Sequence, residues 1–126
     1  MKTMTTWSTE TISKIASTDD LHIYPFRADG KTYGTPTWIW SVVVDGRLFV
    51  RAYNGINGRW YNSALAQKAG RIDAAGQTFD VAFESADPTL TADIDAAYEA
   101  KYAGSPYLPP MVSARTQAAT VEITPR

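Results

Sequence analysis

The chain has no cysteine among its 126 residues. That excludes disulfide staples, thiolate nucleophiles and cysteine-ligated zinc or iron-sulfur centres, and it is compatible with a reducing compartment. Histidine is nearly as scarce. His22 stands alone, so a His-rich metal site is excluded and a charge-relay triad would depend on one ring. Neither sign of charge dominates, with twelve Lys and Arg against thirteen Asp and Glu. No broad field therefore steers the chain to nucleic acid or an anionic membrane, and any anion site must be local. Long apolar runs are missing too. No stretch approaches the roughly 20 residues of a membrane span, and the opening MKTMTTWSTETISK lacks the apolar core of a signal peptide. The expectation is a soluble, cytoplasmic protein. Internal repeats and low-complexity tracts are absent as well, and 44% hydrophobic residues suffice for one domain, 1–126, around a single core.

What the chain does have is a high aromatic content, 12% with four tryptophans. Its most informative stretch is TPTWIWSVVVDGRLFVRAYNGINGRWYN, from Thr35 to Asn62. Asp45-Gly46 favours a two-residue type I′ turn, because both central residues need positive φ. That turn sets a register. Val44 faces Arg47, Val42 faces Phe49, Trp40 faces Arg51 and Trp38 faces Tyr53 on one side of the ribbon. Val43 faces Leu48, Ser41 faces Val50 and Ile39 faces Ala52 on the other. Side chains alternate along a strand, so one face is small and aliphatic and the other is aromatic with a single cation. The aliphatic face is expected to be core. The aromatic face requires a helix, a second subunit or a ligand to cover it.

Around this hairpin, Ser8 can cap a helix from Thr9 to about Ala16, with Trp7 and Ile12 as a hydrophobic staple. LHIYPFR alternates as a strand, with Pro25 placing it at an edge or a bulge. RWYNSALAQKAG carries Trp60, Ala64, Leu65 and Lys68 at helical spacing, with Gly70 as its C-terminal cap. RIDAAGQTFDVAFES turns at Ala75-Gly76 into a second hairpin. Thr91 caps a helix whose shared face is Ile94, Ala97, Tyr98 and Lys101, SPYLPP is a stiff connector, and ATVEIT supplies a last strand. Six short strands, mostly antiparallel, with two to three short helices, predict a mainly β fold, a small barrel with helical attachments.

Arg51, opposite Trp40, could stack on the indole and offer its guanidinium fork to a phosphate or carboxylate. The competing reading is a cation packed on an aromatic surface, or one paired with an acid across a dimer. The loop Asn54-Gly55-Ile56-Asn57-Gly58-Arg59 runs from a strand into a helix, so free amides, a helix N-terminus and Arg59 together attract anions. Alternatively its glycines only supply positive φ for a connector. Trp60 and Tyr61 could wall a flat heterocycle or anchor the core. Asp93, Asp95 and Glu99 fall on the exposed face of their helix, where solvated charge is the ordinary role. No metal-ligand spacing appears, and no nucleophile elbow surrounds any serine. Chemistry by side chains alone is poorly supported, so a bound cofactor would carry it.

Trp7, TPTWIWSVVVDGRLFVRAYNG, RWYNSAL with the following GRI, IDAAYEAKY and TVEITP together resemble a bacterial family of small proteins, domain of unknown function 2255. That family is similar to the flavin-binding split barrels, which include pyridoxamine phosphate oxidases and deazaflavin-dependent nitroreductases. The resemblance implies a six-stranded split barrel whose cofactor phosphate lies at AYNGINGRWYN, held by Arg51, Asn54, Asn57, Arg59, Trp60 and Tyr61. The basic GRKSGR-like run of the deazaflavin enzymes is replaced here by GKTYGTPT with Lys31 alone. Flavin mononucleotide (FMN), with one phosphate, is therefore the implied cofactor rather than a deazaflavin. The function expected is a homodimeric oxidoreductase with FMN at the subunit interface, Tyr24, Trp38 and Trp40 enclosing flavin or substrate, and no catalytic side chain or metal. The alternative is a non-enzymatic binder of a small aromatic or anionic ligand, or a ligand-free dimer, on the same fold. A third option is a cofactor-free hydrolase or isomerase using His22 and Tyr24.

Overall fold

A computed structural model of the chain describes residues 6–126, so the first five residues of the polar N-terminal segment lie outside it. Ser8 caps α1 (Thr9–Ala16) as its sequence predicts, its Oγ accepting the Thr11 amide at 3.2 Å. Ile12 and Ile15 are buried on the inner face of α1. Trp7, just before the cap, packs on the same cluster and donates its indole N–H to the Ile123 carbonyl at 2.9 Å. The sheet strands follow as β1 (His22–Pro25), β2 (Thr37–Trp38), β3 (Ser41–Val44) and β4 (Arg47–Arg51). A 3₁₀ turn (Gly55–Asn57) leads into α2 (Arg59–Gln67), then β5 (Ala69–Ala74) and β6 (Gln77–Ser85). A second 3₁₀ turn (Pro88–Leu90) precedes α3 (Thr91–Lys101), α4 (Leu108–Met111), α5 (Ala114–Gln117) and β7 (Thr120–Pro125).

The fold is mainly β. One antiparallel sheet in the order β2-β1-β5-β6-β7-β4-β3 curls into a half-barrel. Among the described residues, seven strands and five helices replace the expected six and two to three. The additional strand arises because the first arm of the long hairpin divides into β2 and β3. Of the additional helices, α4 begins within what reads as a stiff connector and α5 follows it. Pro109 and Pro110 sit in the first turn of α4, where a missing N–H forfeits no helical bond.

Both tight turns have the backbone that type I′ demands. Asp45 and Gly46 adopt φ of 52° and 74°, and Ala75 and Gly76 adopt 51° and 75°. The Asp45-Gly46 turn fixes four of the expected pairs, from Val44 with Arg47 to Ser41 with Val50. Beyond Ser41 the pairing stops. Trp38 pairs with His22 and Thr37 with Ile23, while the Ile39 amide donates to the Leu21 carbonyl at 3.1 Å. On its other edge β4 keeps its β7 partner through Arg51, and the Ala52 amide donates to the Ala119 carbonyl. The Trp40–Arg51, Trp38–Tyr53 and Ile39–Ala52 pairs expected from the turn therefore do not form, because Thr37, Trp38 and Ile39 turn to β1 and the segment before it.

Alternation along β4 sends Leu48 and Val50 into a core shared with Ile23, Ile72, Val81, Phe83, Val121 and Ile123, closed by α1 and α2. Val42 and Phe49 point the other way, into a second core with Ile94, Tyr98, Tyr102 and Met111 from α3 and its flanks. Of the three covers the aromatic face could have had, α3 is the one found over Val42 and Phe49. Two further expectations need correction. Gly70 is no helix cap: Lys68, at φ 60°, closes α2, and Gly70 lies in β5 opposite Pro25. A Cβ there would stand 2.6 Å from the Pro25 Cα and 2.7 Å from the Tyr24 carbonyl oxygen. Pro25 accordingly ends a strand with neighbours on both sides instead of marking a sheet edge. At the start of α3 the capping is displaced as well, with Asp87 accepting the Thr89 amide at 2.9 Å ahead of the preceding 3₁₀ turn.

Candidate functional site

The divided hairpin leaves a gap, and that gap is a cavity of about 760 Å³. Thr37 to Trp40 form one wall and Arg51 to Asn54 the facing wall, while the start of α2 and the α4 region complete it. The volume lies within the roughly 300–1,000 Å³ of small-molecule sites. Five aromatic side chains line the cavity: Trp38, Trp40, Tyr53, Trp60 and Tyr107. Its charged lining residues are Arg51 and Arg59, both cationic.

The polar end is built by the loop after β4. Gly55 adopts φ +68°, and its amide donates to the Ala52 carbonyl at 2.9 Å. A Cβ at Gly55 would lie 2.6 Å from the Arg115 Cγ, so α5 backs this loop closely. Asn62 holds it from the helix side, donating through Nδ2 to the Ile56 and Gly58 carbonyls at 2.8 and 2.9 Å. Gly58 is the N-cap of α2 and offers no side-chain oxygen. The first helical bond runs from the Asn62 amide to the Gly58 carbonyl, which leaves the preceding amides of the first turn free to meet an anion. Arg59, Asn54 and Asn57 are exposed around them.

Arg51 occupies a different environment. Its side chain is fully buried. Nη1 pairs with Asp95 Oδ1 and donates to the Met111 carbonyl at 3.0 Å, Nε donates to Thr120 Oγ1 at 3.0 Å, and the guanidinium lies 5.4 Å from the Tyr98 ring centre. Among the described residues Nη2 alone has no acceptor. The expectation of Arg51 as a phosphate fork stacked on Trp40 is thus corrected: its charge is balanced by Asp95, and its aromatic partner is Tyr98. Asp95 in turn leaves the set of solvated acids expected on α3, its second oxygen accepting from Gln117 Nε2 at 2.9 Å. Asp93 and Glu99 are exposed as expected.

Trp40 stacks on Tyr102, with ring centres 3.9 Å apart and planes 3° from parallel. The Tyr102 hydroxyl is held among Asp19 and both backbone groups of Ser41. Burial pushes the Tyr98 and Tyr102 hydroxyls well above the usual phenol range, so both remain neutral. Burial also lowers Lys101, whose ammonium donates to the Ser41 carbonyl at 2.8 Å. Together these groups form the wall behind Trp40.

Seven of the nine side chains proposed for the site line this cavity: Trp38, Trp40, Arg51, Asn54, Asn57, Arg59 and Trp60. Tyr61 does not. It turns into the core at 7% exposure, its hydroxyl 3.5 Å from the Ala118 carbonyl, because Tyr61 and Ala64 form the buried face of α2. Tyr24 also lies elsewhere, donating to Asp73 Oδ1 at 2.7 Å with its ring edge on Tyr33. Desolvation, reinforced by Asp73, raises its pKa. The His22 ring bonds the Asp20 carbonyl at 3.0 Å. Tyr53, Tyr107 and Met111 belong to the lining and were not singled out in the sequence. Tyr53 carried a signal, since it flanks the glycine loop. Tyr107 lies in the proline connector and Met111 directly after it, on a path that local sequence does not specify. Among the described residues no cluster of three or more acids or histidines could hold a metal ion, and no helix is long and apolar enough to cross a membrane.

No curated protein sequence matches the chain. Among solved structures, the crystal structure of a conserved hypothetical protein from Mycobacterium tuberculosis superposes with a TM-score of 0.63 at 16% identity. The alignment covers 91% of this chain and 76% of that one, and at such identity the likeness concerns the fold alone. A family model described as an uncharacterised protein conserved in bacteria matches residues 11–123. Since that match runs from within α1 to within β7, the protein belongs to this bacterial family, DUF2255.

Proposed function

We propose that the cavity between the two arms of the divided hairpin binds a flat aromatic ligand bearing one anionic group, with FMN as the occupant that best suits its walls. The protein would then act as a small oxidoreductase. The observation that carries this reading is the pairing of an aromatic enclosure with a cationic, acid-free lining at the uncapped start of α2. Arg59, the free amides of α2, Asn54 and Asn57 would hold the phosphate, replacing the two-arginine site read from the sequence. Trp40 and Trp60 would flank the ring, with Trp38 and Tyr53 at the mouth. Bound flavin supplies hydride transfer, and the side chains bind it, orient it and exclude water. A deazaflavin with a longer polyanionic tail would find only Arg59 as an uncommitted cation in this lining.

The large exposed hydrophobic side chains among the described residues are Trp38, Tyr53, Ile56 and Tyr107. Three of them line the cavity and the fourth lies on its loop. Such a concentration supports a second copy of the chain closing over the mouth, in keeping with the homodimeric split barrels that the sequence resembles. The second reading, a non-enzymatic binder of an aromatic or anionic ligand on the same fold, is favoured by the neutralisation of Arg51, which leaves a single free arginine for any anion.

The absorbance spectrum of purified protein, taken before and after adding FMN and again after gel filtration, tests the proposal. A flavin band that stays with the protein is expected. Protein that retains no flavin of either type refutes flavin binding. Arg59→Ala is expected to weaken FMN binding about tenfold, the loss of one charge-assisted contact.

A further inference from the structure

Trp38 and Trp40 line one wall of the cavity, with Ile39 between them turned into the core. The pairing of Trp38 with β1 and the Ile39–Leu21 bond set their backbone, but each indole has side-chain torsions that the backbone leaves open. Both rings are fastened by the segment that joins α1 to β1. The Trp38 indole N–H donates to the Asp19 carbonyl at 2.6 Å. The Trp40 ring lies flat on Tyr102, whose hydroxyl stands 3.0 Å from Asp19 Oδ1. One residue thus reaches both tryptophans, Trp38 through its carbonyl and Trp40 through its carboxylate and Tyr102. We infer that Asp19 is a positioning residue of the cavity, holding the two indoles in the orientation that receives the flat ring of the ligand.

The donors around Tyr102 show why the carboxylate matters. The hydroxyl has one proton and three polar neighbours, Asp19 and both backbone groups of Ser41. The Ser41 amide, at 3.1 Å, can only donate to it. Its own proton has two acceptors to choose from, Asp19 at 3.0 Å and the Ser41 carbonyl at 3.3 Å. A carboxylate is the stronger acceptor, and the Lys101 ammonium already donates to that carbonyl at 2.8 Å. The hydroxyl therefore points to Asp19, and the ring beneath Trp40 is tied to the same residue that holds Trp38. Fixing an aromatic side chain before binding spares the ligand the cost of ordering it, about fivefold in affinity for one side chain. Asp19 is itself exposed, so water can take over part of what the carboxylate does, and the effect stays at this modest size. The inference rests on the flavin reading of the cavity, and FMN is the probe.

The test is the affinity of wild-type, D19N and D19A protein for FMN, read by flavin fluorescence, beside the near-UV circular dichroism and melting curve of each protein without flavin. Asparagine keeps an oxygen for the Tyr102 hydroxyl and removes the charge; alanine removes both. D19A is expected to weaken FMN about fivefold and to lose near-UV signal from the Trp40–Tyr102 stack, while D19N stays within about twofold of wild type and keeps that signal. Wild-type protein that binds no FMN overturns the reading of the cavity, and the role of Asp19 falls with it. Wild-type protein that binds FMN leaves that reading standing, and two results then overturn the role of Asp19 alone. One is a D19A protein of unchanged affinity, even if it melts lower, and the other is a D19N protein weakened as much as D19A. Should D19A fail to fold, hydrogen exchange at the Trp38 indole of the flavin-free wild type decides. Slowed exchange is expected, and exchange as fast as that of a free indole refutes the contact.

Discussion

Asp95→Ala tests the environment of Arg51 most directly, because it strands a buried cation. Arg51 is fully buried and Asp95 about one-fifth exposed, so water can reach the carboxylate side of the pair but not the guanidinium. Removing one partner of a buried ion pair costs about 3–5 kcal/mol, mostly through the uncompensated charge left behind. The partial exposure of Asp95 places this case at the lower end, about 3 kcal/mol. With an unfolding entropy of roughly 2.1 cal/mol/K per residue, a chain of this length loses stability at about 0.26 kcal/mol per degree near its midpoint. The expected fall in Tm is therefore about 11 °C, read by circular dichroism or calorimetry. A control separates the charge from the packing. The double variant Arg51→Met with Asp95→Leu removes both ions and restores apolar volume, so it should recover much of the loss. A single variant that melts within about 2 °C of wild type would refute the reasoning, as would a double variant less stable than the single one.

Two further perturbations probe the frame around the site. Gly70→Ala would push a Cβ to 2.6 Å from the Pro25 Cα and 2.7 Å from the Tyr24 carbonyl, backbone atoms that cannot step aside; a loss of about 3 kcal/mol or more is expected, and a melting curve like that of wild type would exclude the close β1–β5 approach. Asp29 accepts from the Thr32 hydroxyl and from the Thr32 and Lys31 amides, which lower its pKa to about 2. A depressed carboxyl contributes its stability above the unfolded value, and that contribution is lost as pH falls through the folded one. The Asp29 carboxyl ¹³C signal should accordingly titrate near pH 2, and a midpoint at the ordinary aspartate value would contradict the turn geometry.

Local chemistry made the turns legible. Asp45-Gly46 and Ala75-Gly76 specify their hairpins through φ alone, and Ser8 specifies α1 through one side-chain bond. Long-range competition was not legible. Nothing near Trp38 announces that His22 will pair with it, and nothing near Arg51 announces Asp95, 44 residues away. The Tyr61 error had a different origin. The spacing of Tyr61 and Ala64 marks one face of α2 as well as the spacing of Trp60 and Ala64 does, so periodicity offered two faces and the helix's start decided between them. Most of the residues proposed from the sequence still meet at one cavity because they belong to a single stretch of chain. Trp38, Trp40, Asn54, Asn57, Arg59 and Trp60 all line the one cavity.

The failed pairing is also what creates the cavity. Had the register of the Asp45-Gly46 turn continued, Trp40 would have faced Arg51 and Trp38 would have faced Tyr53, with strands about 5 Å apart and no room between them. Diverting Thr37 and Trp38 to β1 exchanges their bonds to β4 for others of the same kind, while β4 keeps its β7 ladder on the other edge. The exchange therefore costs little hydrogen-bond energy. It leaves two aromatic edges apart across a gap, with Trp40 on one side stacked on Tyr102 and Arg51 on the other paired with Asp95. A ligand thin enough to lie between the edges restores the apolar contact that an unbroken ribbon would have had, which is a physical reason for a flat occupant that holds whichever flat ligand is bound.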